Sequence, residues 1–124
     1  MTKENFPREF RLLTPENFNN VFKDPIRAGS PYITVLAKNS DLNFPRLGMI
    51  VPKKALKRAV WRNRIKRLIR ENFRKSCRVN LENLDYVCIV KSDIQKLTNQ
   101  EVSKLINVNR KELYNDYVEY KNQR

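Results

Sequence analysis

Hydrophobic and basic residues recur with helical spacing over residues 55–77, and this pattern predicts one long amphipathic helix. The segment contains neither proline nor glycine. At roughly 100° per residue, its apolar residues fall within an arc of about 140°, and basic residues gather on the opposite side. We therefore expect one face to pack on a core and the other to meet a partner. The apolar set is Trp61, Ile65, Leu68, Ile69 and Phe73, and the opposite set is Asn63, Lys66, Arg67, Arg70 and Arg74, with Arg62 and Arg64 on the flanks.

A shorter helix is predicted near the N-terminus, ending at about residue 23. Thr14 is a suitable N-cap, and Pro15 is tolerated at the first helical position. Phe18, Val21 and Phe22 follow at the i, i+3, i+4 spacing of one helical face. By spacing alone, this face is the one that packs on the core.

Four short segments are predicted to be strands: residues 26–30, 32–37, 47–51 and 85–91. The polar connection between the second and third segments suggests that these two form an antiparallel pair. The third strand, the long helix and the fourth strand make a βαβ unit, which predicts a parallel pair. The sheet is therefore expected to be mixed, with the first segment as a short edge strand.

The rest of the chain completes a single domain over residues 1–124, since no internal repeat or linker divides it. Residues 1–13 are expected to form a flexible arm, and the tail over residues 121–124 is expected to fray. A final helix is predicted to open at Thr98-Asn99-Gln100-Glu101, which matches a capping box. Its apolar side comprises Val102, Leu105, Ile106, Leu113, Tyr117 and Tyr120.

The distribution of charge along the chain predicts that this domain binds a partner. The chain has 26 Lys+Arg against 13 Asp+Glu, a net charge of +13. Between Lys53 and Arg78 there are twelve basic residues and one acid, Glu71, so this window carries +11 of the total. A nearly neutral protein with one such window is predicted to present a surface to a polyanion.

Composition disfavours catalysis by this chain alone. It contains no histidine, so histidine base catalysis and a zinc site of the usual ligands are both implausible. Cys77 and Cys88 lie outside any CxxC spacing and are expected to be inert buried thiols. Gly29 and Gly48 stand alone, so no glycine-rich phosphate loop is present. The carboxylates are dispersed along the sequence, which gives no sign of a two-metal nuclease.

No membrane partner is expected, and the cytoplasm is the expected compartment. The longest apolar runs are only a few residues, and the opening MTKENFPREF lacks the apolar core of a secretory signal. Arginine forks and lysine ammonium groups suit phosphate oxygens of either nucleic acid. No DNA partner is expected, because the basic helix needs its apolar stripe for its own sheet and no helix-turn-helix pair precedes it. A ribosomal-type or chaperone RNA-binding protein, a self-sufficient nuclease and a DNA-binding module remain as alternatives.

The basic helix also carries a motif of higher specificity. The segment 59–73, AVWRNRIKRLIRENF, contains an RNR-x-KR core and resembles the signature helix of the bacterial ribonuclease P protein component family. Upstream segments resemble the family's strand, its two-lysine entry to that helix and its first helix. These are Arg46-Leu47-Gly48, Val51-Pro52-Lys53-Lys54, and Arg11-Leu12 with Phe18 and Phe22. The chain departs from many members at residues 55–58, where a glycine is usual, and this bears on where the helix starts and on the roles of Lys57 and Arg58.

The resemblance implies an α/β (α+β) two-layer sandwich with a central sheet of about four strands and a βαβ crossover of left hand, against the usual rule. It implies a protein subunit that joins a large catalytic RNA and assists in cutting the 5′ leader from precursor tRNA. That RNA, with bound Mg²⁺, would perform the hydrolysis. The protein would hold the single-stranded leader and support the active, metal-bound shape of the complex.

The resemblance also assigns two surfaces. The first would face the catalytic RNA and comprises Arg62, Asn63, Arg64, Lys66, Arg67 and Arg70; Asn63 has the equal alternative of ordering neighbouring side chains. The second would line a leader-binding cleft and comprises Phe18, Phe22, Lys53, Lys54 and, on the arm, Arg11. Stacking of bases on aromatic rings beside phosphate-binding cations is the usual physics of single-strand binding. Core packing of Phe18 and Phe22 is the open alternative, whereas Trp61, Ile65, Leu68 and Phe73 are expected in the core.

Overall fold

Three α-helices and four strands make up the part of the chain that the computed structural model describes. That part comprises residues 11–12, 14–39, 44–79 and 84–122, without the side chains of 76–79, 110 and 112–122. Cys77, Leu113, Tyr117 and Tyr120 therefore have no described side chain. In chain order the elements are α1 (Pro15–Phe22), β1 (Ile26–Gly29), β2 (Ile33–Asn39), β3 (Arg46–Ile50), α2 (Ala59–Val79), β4 (Leu84–Val90), a 3-10 helix (Ser92–Lys96) and α3 (Asn99–Asn122).

The strands form one mixed sheet in the order β1-β2-β4-β3. β3 pairs in parallel with β4, as predicted. β1 lies at an edge of the sheet, also as predicted, and pairs antiparallel with β2. The prediction that β2 and β3 pair with each other is wrong, because β4 lies between them. Six of the seven residues of β4 are buried, and a strand covered on both faces takes the centre of the sheet. The left hand expected for the β3–α2–β4 crossover stays a prediction.

The two faces of the sheet bury different helices. α2 and α3 cover one face and form with it the expected sandwich, while α1 covers part of the other. The larger core includes Ile33, Val35, Tyr86, Cys88 and Val90 of the sheet, Ile65, Leu68, Ile69 and Phe73 of α2, and Val102 and Ile106 of α3. The smaller core comprises Leu12, Val21, Leu36 and Val87, with Phe18, Ile50 and Ile89 packed against it. Successive residues of a strand point to opposite faces, and this alternation separates the two cores.

The caps predicted for α1 and α3 are confirmed. Thr14 Oγ1 accepts from the Asn17 N–H at 3.2 Å. The Thr98 N–H donates to Glu101 Oε1 at 2.8 Å, and the Glu101 N–H donates to Thr98 Oγ1 at 3.2 Å. These reciprocal bonds satisfy N–H groups that the first turn of a helix leaves without partners.

α2 begins at Ala59 rather than at residue 55. The preceding residues form a turn in which the N–H groups of Ala55 and Leu56 both donate to Pro52 O, at 3.0 and 3.1 Å. Leu56 is fully buried, so the chain turns to deliver this side chain to the core before the helix starts. Trp61, expected in the core, is half-buried against it and has the Arg58 guanidinium 5.4 Å from its ring centroid.

Residues 11 and 12, which fall in the expected arm, extend the sheet at its β3 edge. Arg11 forms an isolated parallel bridge with Leu47, and the Leu12 N–H donates to Leu47 O at 2.9 Å. Residues 1–10 and 13 lie outside the described part. At the other end, α3 continues to Asn122, into the tail expected to fray. None of the described helices is long and apolar enough to cross a membrane.

Cys88 is expected to resist alkylation in the folded protein. It is buried in the larger core, and this burial raises the pKa of its thiol to about 12. At pH 8.5 an exposed thiol is about half ionised, whereas Cys88 stays protonated, and the thiolate is the reactive form. In a Cys77→Ser variant, iodoacetamide should modify Cys88 at least about 100-fold more slowly in buffer than in denaturant. Similar rates, measured by intact mass, would show that the site opens readily.

Candidate nucleic-acid interface

The aromatic ring of Phe18 lies on the sheet directly over Gly48. A Cβ atom on Gly48 would come within 2.6 Å of the ring's Cε1 and Cζ atoms and within 3.1 Å of Leu12 Cδ1. Glycine is therefore required here by close approach, because any larger residue would displace the ring. Phe18 is half-buried against the smaller core, so part of its ring packs and part remains accessible.

Beside this ring, a cavity of about 190 Å³ opens at the β3 edge of the sheet. We call it the edge cavity. Four elements meet there: the 11–12 segment, α1, β3 and α2. Its lining comprises Arg11, Leu12, Phe18, Leu47, Gly48, Met49, Lys66 and Arg70. An accessible aromatic ring, an apolar floor and three cations therefore share one small depression.

Lys66 and Arg70 reach the edge cavity because they lie one helical turn apart on the flank of α2 that overhangs β3. The structure thus brings these two residues together with Arg11 and Phe18, although the resemblance assigned them to the other surface. Burial, followed by the nearby charge of Arg11, lowers the pKa of Arg70 from its ordinary value. Arginine remains protonated in proteins despite such a shift, so the positive charges of Arg70 and Arg11 repel each other. A phosphate between them would offset that repulsion and accept hydrogen bonds from the guanidinium groups.

The outermost ridge of α2 carries Asn63 and Arg67, which are both exposed. Arg62 and Arg64, on the flanks, are half-buried and donate hydrogen bonds within the protein. Arg62 Nη1 donates to Leu56 O at 2.8 Å and to Lys57 O at 3.0 Å. Arg64 Nε and Nη2 donate to Asn99 Oδ1 at 2.7 Å and to Leu97 O at 2.6 Å. The basic helix therefore presents three surfaces: the ridge, the edge-cavity flank, and the flank joined to α3.

Comparison with known proteins identifies the family. The family model for ribonuclease P matches residues 6–114. The ribonuclease P protein component of Vibrio parahaemolyticus is 55% identical over 100 residues, which cover 81% of this chain and 84% of that protein. That of Haemophilus influenzae is 52% identical over 106 residues, covering 86% of this chain and 88% of that protein.

The chain belongs to the ribonuclease P protein family. As such it is an RNA-binding protein component of the enzyme for tRNA 5′-end processing. Solved structures of RNase P proteins have the same fold. The RNase P protein of Staphylococcus aureus superposes with a TM-score of 0.77 at 26% identity, covering 82% of this chain and 93% of that one. The Thermotoga maritima RNase P protein gives 0.70 at 27% identity, covering 82% and 96%.

Other residues that the family resemblance assigned to the leader cleft lie outside the edge cavity. Lys53 and Lys54 are exposed at the turn before α2, and neither belongs to the described lining. Phe22 is 42% exposed at the end of α1 and also lies outside that lining. Its exposure argues against core packing for this ring. Phe18 has features of both core packing and a cleft, because it packs on the smaller core and also lines the edge cavity.

Sequence reasoning missed an ion pair that anchors α1 beside the edge cavity. Arg46 Nη2 and Nε contact Asp85 Oδ2 and Oδ1 at 2.7 and 2.9 Å, and Arg46 Nη1 donates to Asn17 Oδ1 at 3.2 Å. The hydrogen bonds to Asp85 raise the pKa of Arg46. Asn17 directly precedes Phe18, so the pair fixes the helix that carries the ring. The available signal was Asp85, an acid within the apolar strand β4, but only the parallel register places Arg46 opposite it.

A Gly48→Ala substitution should destabilise the protein by about 1–3 kcal/mol, the usual cost of overpacking. The added methyl group would strike the Phe18 ring. Gly29→Ala is the matched control, since its Cβ would meet Thr34 Oγ1 at an ordinary 3.4 Å. In denaturant unfolding, adding Phe18→Ala should relieve much of the Gly48→Ala cost, because the two sites are in contact. Fully additive losses would contradict this arrangement.

Proposed function

We propose that this protein holds the single-stranded 5′ leader of precursor tRNA at the edge cavity and binds the catalytic RNA along the ridge of α2. The observation that carries the proposal is the edge cavity itself. Its half-buried ring offers a face for a base, and Arg11, Lys66 and Arg70 surround it with positive charge. Single-stranded nucleic acids are bound by this combination of stacking and backbone contacts. Lys53, Lys54 and Phe22 are exposed outside that lining and would continue the leader's path.

The ridge of α2 supports the second half of the proposal. Asn63 and Arg67 are exposed there, while the opposite stripe of the helix is buried against the sheet. Because that stripe is occupied, its apolar side chains cannot face a partner, and the ridge meets a partner through the polar groups of Asn63 and Arg67, beside the exposed Val60. Arg62 and Arg64 border this ridge and keep donors that are not used in their described bonds.

The Mg²⁺ ions of the reaction are proposed to be held by the partner RNA and the substrate. The residues around the edge cavity do not fit such an ion, since its lining is cationic and apolar and Mg²⁺ prefers oxygen ligands. Among the described residues, no group of three or more His, Cys, Asp or Glu side chains could hold a metal ion. The protein's contribution would be to bind and orient RNA. The cytoplasm is the proposed compartment, because bacterial precursor tRNA is made there.

The alternative of a ribosomal-type or chaperone RNA-binding protein is not favoured, because the family match extends over most of the chain. One measurement distinguishes a ribonuclease P subunit from a general RNA-binding protein. A 5′-labelled precursor tRNA would be incubated at low Mg²⁺ with the protein, with a bacterial ribonuclease P RNA, and with both. We expect efficient cleavage at the mature 5′ end only when both are present. Tight RNA binding without stimulated cleavage would contradict the proposal, and cleavage by protein alone would indicate an intrinsic nuclease.

Arg67 and Arg70 lie within one turn of each other on α2 but on different surfaces, the ridge and the edge cavity. Replacing each by alanine therefore gives a matched test of the two surfaces. Arg67→Ala removes a charge from the ridge, so it should weaken binding of the RNA subunit and reduce the salt-dependence slope by about one. Arg70→Ala removes a cation from the edge cavity, so it should weaken binding of leader-containing precursor about tenfold, with little effect on leaderless tRNA. Phe18→Ala should behave like Arg70→Ala, because stacking is worth about 1–3 kcal/mol per base.

Binding of the reconstituted enzyme to precursor tRNA with and without a leader provides the readout. Equal losses for the two substrates in Phe18→Ala would favour core packing of this ring. Identical behaviour of Arg67→Ala and Arg70→Ala would show that α2 presents one undivided RNA surface rather than two.

A further inference from the structure

Arg62 belongs to the most specific motif of the chain, yet its guanidinium turns toward the loop that precedes α2. Nη1 donates to the carbonyl oxygens of both Leu56 and Lys57, at 2.8 and 3.0 Å. One Nη nitrogen carries two hydrogens, so it can serve two acceptors at once. The side chain thus ties the first turn of the helix to the backbone on the other side of the helix start.

The backbone held in this way is the loop over residues 52–58, which carries Lys53 and Lys54. Two further contacts define its shape: the paired hydrogen bonds to Pro52 O and the burial of Leu56. Arg62 donates hydrogen bonds to the loop immediately after these points, at the carbonyl oxygens of Leu56 and Lys57. The loop is therefore fixed between a buried side chain and a charge-assisted hydrogen-bonded clamp, while its two lysines stay exposed.

Fixing this loop matters for ligand binding because ordering a segment at the moment of binding costs affinity. Two lysines on a mobile loop would occupy many positions, whereas a clamped loop presents them in one. The contribution of Arg62 would then appear in binding of the ligand that meets the lysines, although Arg62 itself faces the protein.

We propose that Arg62 is a positioning residue, which clamps the 52–58 loop so that Lys53 and Lys54 are presented to the leader phosphates. The described bonds to the loop use Nη1, so Nε and Nη2 are not required for the clamp. The identity of the ligand rests on the proposed function, but the clamp itself does not. Arg64 has a similar geometry toward Leu97 and Asn99, at the start of α3, and so joins α2 to a different segment.

The clamp is tested first in the free, full-length protein by hydrogen exchange at single amides. The amides of Ala55 and Leu56 report the turn, since both donate to Pro52 O. In Arg62→Ala they should exchange at least about tenfold faster, because the loop loses both charge-assisted hydrogen bonds of the clamp. Arg67→Ala is the matched control, because it removes an exposed arginine from the same helix, and its exchange at these amides should not change. Arg62→Lys, which can still donate to both carbonyls, should recover most of the protection.

The consequence is tested next in the reconstituted enzyme. Arg62→Ala should reduce the preference for leader-containing over leaderless precursor about tenfold, in parallel with the faster exchange at Ala55 and Leu56. A slope reduced by about one, with the two amides still protected, would make Arg62 a phosphate contact and overturn the proposal. If Arg62→Ala does not fold, Arg62→Gln provides the same comparison, since it removes the charge with a smaller loss of bulk.

Failure of this inference and failure of the proposed function give different results. If the RNA partner or the leader is wrong, Arg67→Ala and Arg70→Ala will also lack their expected effects, while the exchange at Ala55 and Leu56 still reports the clamp. If only the clamp is wrong, those two variants will behave as expected, and Arg62→Ala will leave the exchange of the loop unchanged.

Discussion

The rest of the structure depends on the burial of the apolar stripe of α2 against the sheet. Ile65, Leu68, Ile69 and Phe73 all lie in the larger core, where Phe73 meets Tyr86 edge to face with centroids 5.6 Å apart. Each such side chain contributes about 1.5–3 kcal/mol on burial, whereas an exposed charge contributes a few tenths. The stripe therefore sets the rotation of the helix about its axis, and the basic residues take the directions that remain.

Because the basic residues of α2 point in different directions, the helix presents surfaces with different chemistry. The flank over β3 adds Lys66 and Arg70 to the edge cavity, while the ridge directs Arg67 outward. Cations that would otherwise repel one another are held close because the core fixes the helix.

The edge cavity depends on a second, smaller set of contacts. Gly48 lets the ring of Phe18 approach the sheet, and the bond from Arg46 to Asn17 holds the helix that carries the ring. Arg46 is itself fixed by Asp85 on the neighbouring parallel strand. The position of one accessible aromatic side chain thus rests on a close approach of backbone and on an ion pair that crosses two strands.

Local pattern was sufficient for much of this protein. The amphipathic period of α2, the caps of α1 and α3, the parallel β3–β4 pair and the basic window could all be predicted, since each depends on residues close in sequence or on chain order alone. The RNR-x-KR motif was sufficient to indicate the family. The position of β4 between β2 and β3 could not be predicted, because several apolar strands compete for the centre of a sheet and only their packing with the helices decides among them. The start of α2 depended on the burial of Leu56. The bonds of Arg46 and Arg62 depended on which groups the fold brings within hydrogen-bond reach, and the place of Lys66 depended on which elements meet at the edge cavity. Tertiary structure alone made those decisions, because charge and periodicity specify which face of a helix is polar but not what that face will meet.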